Sequence, residues 1–381
     1  MKVIKLNSQI ERDLILQQIG STTAGNKILK DKMQTKLFFL KGIKTPAANI
    51  LKQDALSIGA DLAVPKNTIL CADEKIDALL IANDKQIKIL SKKELAQPFG
   101  LKEFASELNK YKKVNEFSRE IMGVLNINED SFYEGSRFIA KNTLAKIENM
   151  IEEGADIIDI GALSSRPGSK KISAKEELGR IKRVIDEIYK NSLYKKIVFS
   201  IDSYEPIVVE YALNCGFSII NDITGLDNDE VCKIASRYKA KVVIMHMKGT
   251  PEDMQKNPHY ENVILEVEGF FKERIQKAKK FGIEDIILDV GIGFGKTLDH
   301  NLMLISHLSH FKKFNLPLLV GASRKSMIDK IIPCDVKDRL SGTLALHLKA
   351  ESEGASMIRC HDVKEHIQAF KVADALKATT V

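Results

Sequence analysis

Polar residues that could bind a ligand recur along the chain after residue 120, each directly following a short apolar run typical of a β-strand. Six such motifs start at Asn126, Asp159, Asp202, Asn221, Asp289 and Arg359. Carboxylate and amide oxygens accept hydrogen bonds, and the arginine guanidinium offers a two-pronged fork to phosphate. Because the motifs follow successive strands, they predict one shared pocket.

The strands that would carry these residues alternate with helix-like stretches, among them Leu298–Phe311 and Val336–Glu353. The strand-like runs are short and apolar, as expected for strands buried on both faces. They are Ile121–Leu125, Ile157–Ile160, Ile197–Ile201, Ser218–Ile220, Val242–Met245, Ile286–Leu288, Leu318–Val320 and Ser356–Ile358. Eight strand–helix pairs over ~260 residues match the usual size of a (β/α)8 TIM barrel, whose active site opens at the carboxyl ends of its strands.

Residues 1–115 do not join this alternation. We expect them to form a small α/β or α+β domain of unknown role, before a catalytic domain at residues 116–381. The predicted strands of the first domain are Leu37–Leu40, Ala78–Ala82 and Ile87–Leu90. Asn83–Lys85 lies between two apolar runs and predicts a tight hairpin turn.

The composition excludes several classes of protein. No apolar run approaches the ~18 residues that cross a bilayer, so we expect no membrane association. The five cysteines are scattered without a Cys-x-x-Cys pair. This favours reduced thiols in the cytoplasm over disulfides or structural zinc. The net charge of +7 arises from lysines interspersed with acidic residues, so we expect no nucleic-acid partner.

Asp202, Asn221 and Asp289 are compatible with two roles. A single Asp at a strand–helix junction usually caps the helix. Three such residues at the strand ends of one barrel instead favour a shared set of acceptors for a ring with several N–H groups, because buried carboxylates must be paired or hydrogen-bonded.

Positively charged residues follow the last two predicted strands. Lys325 lies in Gly321–Ser326, and Arg359 and His361 follow the final strand. The loops after the seventh and eighth strands are the usual phosphate site of this barrel, which favours anion binding over ordinary surface charge. Asn126 could give a neutral oxygen ligand to Mg²⁺, an ion that keeps several waters and binds substrate phosphates.

Two further features are less specific. Gly291–Lys296 is glycine-rich but lacks the Lys-Ser/Thr ending of a Walker motif. We expect its glycines to let the backbone approach a ligand, with Phe294 as an aromatic wall. His246 is compatible with a catalytic role and equally with a structural position beneath the site.

Together these motifs resemble those of the dihydropteroate synthases, in the same order, over roughly residues 119–375. The matching segments are Met122–Phe132, Ser164–Gly168, Ile201–Ser203, Ile220–Asp222, Met245–Met247, Gly291–Lys296, Ser323–Ser326 and Arg359–His361. The resemblance implies a transferase of folate biosynthesis. It would condense 6-hydroxymethyl-7,8-dihydropterin diphosphate with 4-aminobenzoate, giving 7,8-dihydropteroate and diphosphate.

The resemblance also implies a role for each matching position. The residues implied to bind the pterin are Asp202, Asn221, Asp289 and Lys325. Those implied to hold the diphosphate are Arg359, His361 and, with Mg²⁺, Asn126. Those implied to border the aminobenzoate are Ser165, Phe294, Lys325 and Ser326. Further substrate-binding positions are Phe132, Glu134 and Arg166. The predicted catalytic residues are Asp202, Asp289, Lys325, Arg359 and His361.

The chain departs from the family pattern at Asn128–Glu129, Glu134, Ala162–Leu163, Ser165 and Val290. These changes affect the expected loop order and aminobenzoate affinity more than the reaction. Two alternatives stay open. One is a methyltetrahydrofolate methyltransferase of the same superfamily, and the other is a non-catalytic pterin-binding protein that uses its N-terminal domain for interactions. We expect a homodimer that is a sulfonamide target.

Overall fold

The computed structural model describes residues 1–6, 11–112, 114–127, 136–162 and 172–379, with the backbone alone for residues 136–141. The fold separates into two compact units, Met1–Val114 with Val372–Val381, and Asn115–Lys371. We call them the N-terminal unit and the barrel unit. Within the described ranges, no helix is long and apolar enough to span a membrane.

The N-terminal unit is an α+β structure. Its strands are β1 (Thr35–Lys44), β2 (Asp61–Ala63) and β3 (Lys75–Asn83), and its helices are α1 (Arg12–Gln18), α2 (Thr23–Lys30), α3 (Thr45–Leu56), α4 (Asp84–Lys93) and α5 (Leu101–Asn109). The strands form an antiparallel sheet in the order β1-β3-β2. Alternate side chains of β3 are buried, so that Leu80 shares an apolar core with Leu51, Leu90 and Leu101 of the helices. The predicted small N-terminal domain is confirmed.

One predicted strand of this unit is wrong, because Ile87–Leu90 lies inside α4. Asn83–Lys85 is the start of that helix and not a hairpin turn. The Asn83 side chain accepts a hydrogen bond from the backbone N–H of Gln86, and the Gln86 side chain accepts one from the backbone N–H of Asn83. This reciprocal capping box satisfies N–H groups that a helix start otherwise leaves without partners.

Within the described residues, eight parallel strands of the barrel unit close into a barrel. They are β4 (Glu120–Asn126), β5 (Ile157–Gly161), β6 (Val198–Asp202), β7 (Ile219–Asp222), β8 (Lys241–Met245), β9 (Ile286–Asp289), β10 (Leu318–Val320) and β11 (Met357–Cys360). Each strand pairs with the next along the sequence, and β11 pairs with β4 to close the ring. The predicted (β/α)8 TIM barrel is confirmed.

Helices surround this barrel. They are α6 (Ser136–Glu152), α7 (Ala174–Lys190), α8 (Pro206–Asn214), α9 (Asp229–Tyr238), α10 (Val263–Lys280), α11 (Leu298–Ser306), α12 (Ser326–Ile331), α13 (Leu340–Ser352) and α14 (Val363–Lys377). Val267 and Phe271, four residues apart on α10, are fully buried in the core shared with the strands. Two predicted helices are each divided, by 3-10 turns at Leu308–Phe314 and Val336–Asp338.

The barrel interior contains an apolar layer. Its buried side chains are Met122, Ile157, Ile219, Val243, Ile287, Leu319 and Met357. Because side chains alternate in direction along a strand, the residue two positions further on points into the same interior. That position is nearer the carboxyl end of the strand, where a barrel of this kind opens.

Candidate active site

A layer of polar side chains lies next to the apolar layer, at the carboxyl ends of the strands. Asp159, Asn221, Asp289 and Arg359 each come two residues after an apolar-layer residue of the same strand, and Asp202 ends β6. We call these five residues the polar layer. The three acids and Asn221 are buried, and the guanidinium of Arg359 is partly exposed.

Asp159 connects this layer. It is one of the six strand-end residues predicted to share a pocket, but no ligand contact was predicted for it. Its Oδ2 atom accepts a hydrogen bond from Nδ2 of Asn221 at 2.9 Å and another from Nε of Arg359 at 2.7 Å. The sequence signal that identifies Asp159 is its two-residue offset from Ile157, which Asn221 and Asp289 share on their own strands.

Arg359 joins two acids. Its Nη2 atom donates to Oδ2 of Asp202 at 2.7 Å, while its Nε atom donates to Asp159. Burial alone would lower the pKa of Arg359, but the charges of Asp159 and Asp202 raise it above its ordinary value. Arg359 is therefore a permanent cation. Its planar fork of five N–H groups can serve both acids and keep a donor for a ligand.

Among the described residues, Oδ1 of Asp159 is buried without a hydrogen-bond partner, and three further members of the polar layer keep an acceptor oxygen for a ligand. Asn221 donates through Nδ2, so its Oδ1 atom can accept. Asp202 accepts from Arg359 at Oδ2, so its Oδ1 atom can accept from a ligand. Asp289 accepts from the backbone N–H of Gly291 at Oδ1, 2.8 Å away, which leaves Oδ2. A ligand edge with several N–H donors would match this set.

The alternative interpretation of these residues as helix caps does not agree with the geometry. The helices that follow them are preceded by Glu205, Asn228 and Thr297 instead. A neighbouring acid, Asp222, makes the local turn contacts, because its carboxylate accepts from the backbone N–H groups of Thr224 and Leu226 at 2.7 and 3.0 Å. The end of β7 therefore holds one residue of the polar layer, Asn221, and one residue that stabilises the local turn, Asp222.

Burial sets the protonation of the charged groups. Burial raises the pKa of Asp202 to about 7, the charge of Arg359 opposes this, and the charge of Asp159 adds to it. Burial also raises the pKa of Asp289, against a backbone hydrogen bond that lowers it. Burial lowers the pKa of Lys325 to about 8, against the attraction of Asp289. Asp202 and Lys325 therefore titrate close to neutral pH.

Lys325 and Phe294 form one side of the site. The Nζ atom of Lys325 lies 4.3 Å from the centroid of the Phe294 ring and donates to the backbone carbonyl of Ile292. Phe294 is partly exposed, and Ser326, the first residue of α12, is exposed. A cation over an aromatic face is attracted to it. This surface offers an aromatic ring, a cation and a hydroxyl, which could accommodate an aromatic carboxylate.

Two glycines after β9 bring two loops of the chain together. Gly291 and Gly295 have φ angles of 64° and 62°. A Cβ atom on Gly291 would lie 1.9 Å from the backbone oxygen of His246, and one on Gly295 would lie 2.2 Å from that of Lys248. At both positions the close approach that requires glycine is therefore to the loop after β8. Approach of a ligand to this loop stays a prediction.

Lys296 is buried beneath the same loop and holds it. Its Nζ atom lies 2.9 Å from the backbone oxygens of Gly291 and Phe294, 3.1 Å from that of His246, and 2.9 Å from Nδ1 of His246. Burial, with a contribution from Lys296, lowers the pKa of His246 to about 2. His246 is therefore neutral. Its contacts favour a structural position beneath the site over a catalytic role.

The other predicted site residues are at the rim or outside the described residues. His361 is exposed, with Nδ1 2.9 Å from Oγ of Ser323, and Asn126 is exposed at the end of β4. The predicted positions outside the described residues are Phe132, Glu134, Ser165 and Arg166. In the part of the chain that the structure describes, no group of three or more His, Cys, Asp or Glu residues could hold a metal ion.

Comparison with known proteins agrees with this geometry. The model of the family described as pterin binding enzyme matches residues 122–361. The chain is 45% identical to the bifunctional dihydropteroate synthase/dihydropteroate reductase of Helicobacter pylori over 369 residues, which are 96% of each chain. It is 41% identical to the dihydropteroate synthase of Escherichia coli over 258 residues, 67% of this chain and 90% of that one.

Solved structures give the same result. The dihydropteroate synthase of Yersinia pestis in complex with a sulfonamide drug is 35% identical, with a TM-score of 0.64, and the match covers 69% of this chain and 95% of that one. The Xanthomonas albilineans enzyme with 4-aminobenzoic acid is 33% identical, with a TM-score of 0.63, over 69% and 94% of the two chains. The chain therefore belongs to the pterin binding enzymes, as a member of their dihydropteroate synthases.

Proposed function

We infer that the polar layer binds a dihydropterin and that the barrel unit condenses it with 4-aminobenzoate. The observation that carries this inference is the set of three available acceptor oxygens on Asp202, Asn221 and Asp289. A dihydropterin presents ring N–H groups and a 2-amino group along one edge, which three acceptors would match. The adjacent cations Lys325 and Arg359 support binding of the diphosphate.

In this proposal the residues stabilise charge and supply no nucleophile. Departure of the diphosphate breaks a C–O bond and leaves positive charge on the pterin, which the carboxylates of Asp202 and Asp289 stabilise. Arg359, His361 and Lys325 stabilise the departing anion. The amine of 4-aminobenzoate then forms the C–N bond and loses a proton, with its ring beside Phe294.

We propose that Mg²⁺ assists this step and that Asn126 is its protein ligand. Asn126 is exposed at the carboxyl end of β4, where the barrel opens. A site with one protein oxygen suits Mg²⁺, which takes its other ligands from water and substrate phosphates and would stabilise their negative charge. Asn126→Ala should raise the Mg²⁺ concentration for half-maximal activity. Equal Mg²⁺ dependence of variant and parent would reject this role.

Diphosphate release tests the proposed reaction. Purified protein is incubated with the pterin diphosphate and Mg²⁺, with and without 4-aminobenzoate. We expect diphosphate and dihydropteroate in equal amounts when both substrates are present. A methyltransferase or a non-catalytic pterin-binding protein would release no diphosphate under either condition, and that result would reject the synthase.

A reductase activity is the second candidate. The match to the bifunctional Helicobacter pylori relative covers 96% of both chains, so it includes the N-terminal unit. We propose that the full chain also reduces dihydropteroate, for which a nicotinamide cofactor would supply the hydride. Loss of dihydropteroate with matched oxidation of NADH or NADPH tests this. No loss with either donor would reject it.

We further propose that the N-terminal unit adds no group to the synthase site, because all five polar-layer residues belong to the barrel unit. A truncated chain starting at Asn115 should keep its affinity for the pterin. If that chain is folded and soluble but has lost pterin binding, the N-terminal unit shapes the site and this proposal is wrong.

We also propose a cytoplasmic homodimer that sulfonamides inhibit. All five cysteines are free, which supports a reducing compartment.

Ile331, Ile332 and Val336 are exposed on the barrel unit, which supports a protein contact there. Sedimentation of the parent as a dimer and of Ile332→Asp as a monomer would support the contact, and a monomeric parent would reject it. Inhibition by a sulfonamide should be relieved by 4-aminobenzoate.

A further inference from the structure

Two buried histidines outside the polar layer are joined in one hydrogen-bonded chain. His347 on α13 and His366 on α14 are fully buried, with Nδ1 of His347 2.8 Å from Nε2 of His366. We call them the histidine pair. Nε2 of His347 accepts from the backbone N–H of Ala322 at 2.9 Å, and Nδ1 of His366 lies 2.5 Å from the backbone oxygen of Asp362.

The backbone groups at the two ends determine where the protons lie. The N–H of Ala322 can only donate, so Nε2 of His347 has no proton and Nδ1 carries one. Nε2 of His366 accepts that proton, so His366 also carries its proton on Nδ1, facing a carbonyl of Asp362 that can only accept. Both rings are therefore neutral. Burial lowers the pKa of both histidines, in agreement with this assignment.

The backbone groups at the two ends of this hydrogen-bonded chain, those of Ala322 and Asp362, lie in the loops that carry the proposed diphosphate residues. Ala322 is three residues before Lys325 in the loop after β10, and Asp362 directly follows His361 after β11. The loops are also joined by Arg324, whose Nε and Nη2 atoms donate to the two carboxylate oxygens of Asp362 at 2.8 and 2.7 Å. The histidine pair is thus a second connection between the same loops.

The loop after β10 contains a residue in a strained conformation. Arg324 has a φ of 54°, in the left-handed region that non-glycine residues rarely adopt. Its backbone N–H donates at 2.9 Å to Oγ1 of Thr343, which lies four residues before His347 on the same face of α13. Helix α13 therefore holds two backbone N–H groups of this loop, and Lys325 follows the strained residue directly.

We propose that the histidine pair positions Lys325 and His361 for the diphosphate of the substrate. His347 fixes the loop after β10, His366 fixes the loop after β11, and the bond between the rings sets the separation of the loops. The inference rests on the proposed diphosphate role of these loops. The two histidines are positioning residues, since they act through the loops and not on the substrate.

Imidazole nitrogen chemical shifts of the full-length protein test the pair directly. We expect both rings to be neutral and protonated at Nδ1 from about pH 6 to about pH 8, and their shifts to change when inorganic diphosphate binds. A ring protonated at Nε2, a charged ring, or diphosphate that binds without moving these shifts would overturn the inference. Diphosphate that does not bind at all would overturn the proposed function with it.

Variant kinetics give the second test. His347→Phe and His366→Phe should each raise the KM for the pterin diphosphate about tenfold and leave the KM for 4-aminobenzoate within about twofold, and the double variant should match the single ones because the two sites are coupled. His347→Gln keeps a donor and an acceptor and should restore most of the loss. Additive effects, or an equal rise in both KM values, would contradict the inference.

A matched control separates positioning from general stability. His310 lies 2.6 Å from a carboxylate oxygen of Glu268, and neither residue belongs to the two loops. His310→Phe should lower the melting temperature without changing either KM. If this control raises the KM for the pterin diphosphate as much as the two Phe variants do, loss of stability explains their effect and the inference fails.

Discussion

Nη2 of Arg359 lies 2.7 Å from Oδ2 of Asp202, so the last strand of the barrel is bonded to the third at the level of the site. The same guanidinium bonds Asp159, which in turn accepts from Asn221. Buried acids are tolerated when they are paired and hydrogen-bonded, and the Oδ2 atoms of Asp159 and Asp202 meet that condition. Oδ1 of Asp159 is buried without a partner among the described residues. We therefore expect binding of a ligand to one member to affect the others.

Replacement of Arg359 should affect both activity and stability. We expect Arg359→Gln to lower activity at least ~100-fold and to lower the melting temperature, because leaving a buried charge without its partner typically costs about 3–5 kcal/mol. Arg359→Lys should restore little, since a point charge cannot serve two acids as a fork does. Activity and thermal unfolding are measured for both variants. A melting temperature of Arg359→Gln equal to that of the parent at neutral pH would contradict the network.

Pterin affinity should depend on pH through Asp202, whose pKa is raised to about 7. The ionised carboxylate accepts from a ring N–H, so affinity should rise as the pH increases through that value. Ionising a buried acid with a raised pKa also costs stability, so this acid should lower the free energy of unfolding as the pH rises from its ordinary pKa of 3.8 to about 7.

The measurement is a titration with 6-hydroxymethyl-7,8-dihydropterin, which has no phosphate to titrate. Asp202→Asn is the control and should bind weakly and lose the rise in affinity around pH 7, so that any remaining pH dependence belongs to Lys325, whose pKa is about 8. The same pH dependence in the variant and the parent would assign the titration to another group.

Lys296 should matter for the aminobenzoate side of the site, because its Nζ atom holds the backbone oxygen of Phe294. Burial lowers the pKa of Lys296 well below its ordinary value, so its charge is not needed for this argument. Leaving a buried carbonyl oxygen without its donor costs about 1–3 kcal/mol, so we expect Lys296→Met to raise the KM for 4-aminobenzoate at least ~tenfold. The matched control is Lys313, a buried lysine paired at 2.6 Å with Glu268. Lys313→Met should lower stability without changing the KM. Equal KM values for the two variants would reject the role of Lys296.

The sequence was sufficient to predict the barrel and much of the polar layer. Short apolar strands in regular alternation with helices predict the fold, and residues at the strand ends predict Asp202, Asn221, Asp289 and Arg359. Asp159 was also predictable, because the two-residue alternation of a strand places it on the same interior face as Ile157. The segment Ile87–Leu90 was assigned wrongly, since its apolar run resembles a strand while the capping box before it starts a helix.

Other contacts were not predictable from spacing. Lys296 bonds His246 across 50 residues, and the histidine pair is separated by 19 residues on two different helices. Which of several polar residues meet is decided by the crossing of helices and loops, and no local pattern encodes it. For the same reason the sequence could not show that Arg359 is shared between two acids.

The most direct test of this account is calorimetric titration of the dihydropterin into three Asp→Asn variants, with their melting temperatures measured in parallel. Asp202→Asn and Asp289→Asn should each lose about 1.5–3 kcal/mol of binding free energy, the value of one hydrogen bond to a charged group. Asp222→Asn is the control, because Asp222 is equally buried at a strand end but bonds only local backbone and hydroxyl groups among the described residues. It should unfold at a lower temperature and bind the pterin normally. Unchanged affinity in Asp202→Asn and Asp289→Asn, with lowered melting temperatures, would show that these acids support the fold and do not bind the pterin.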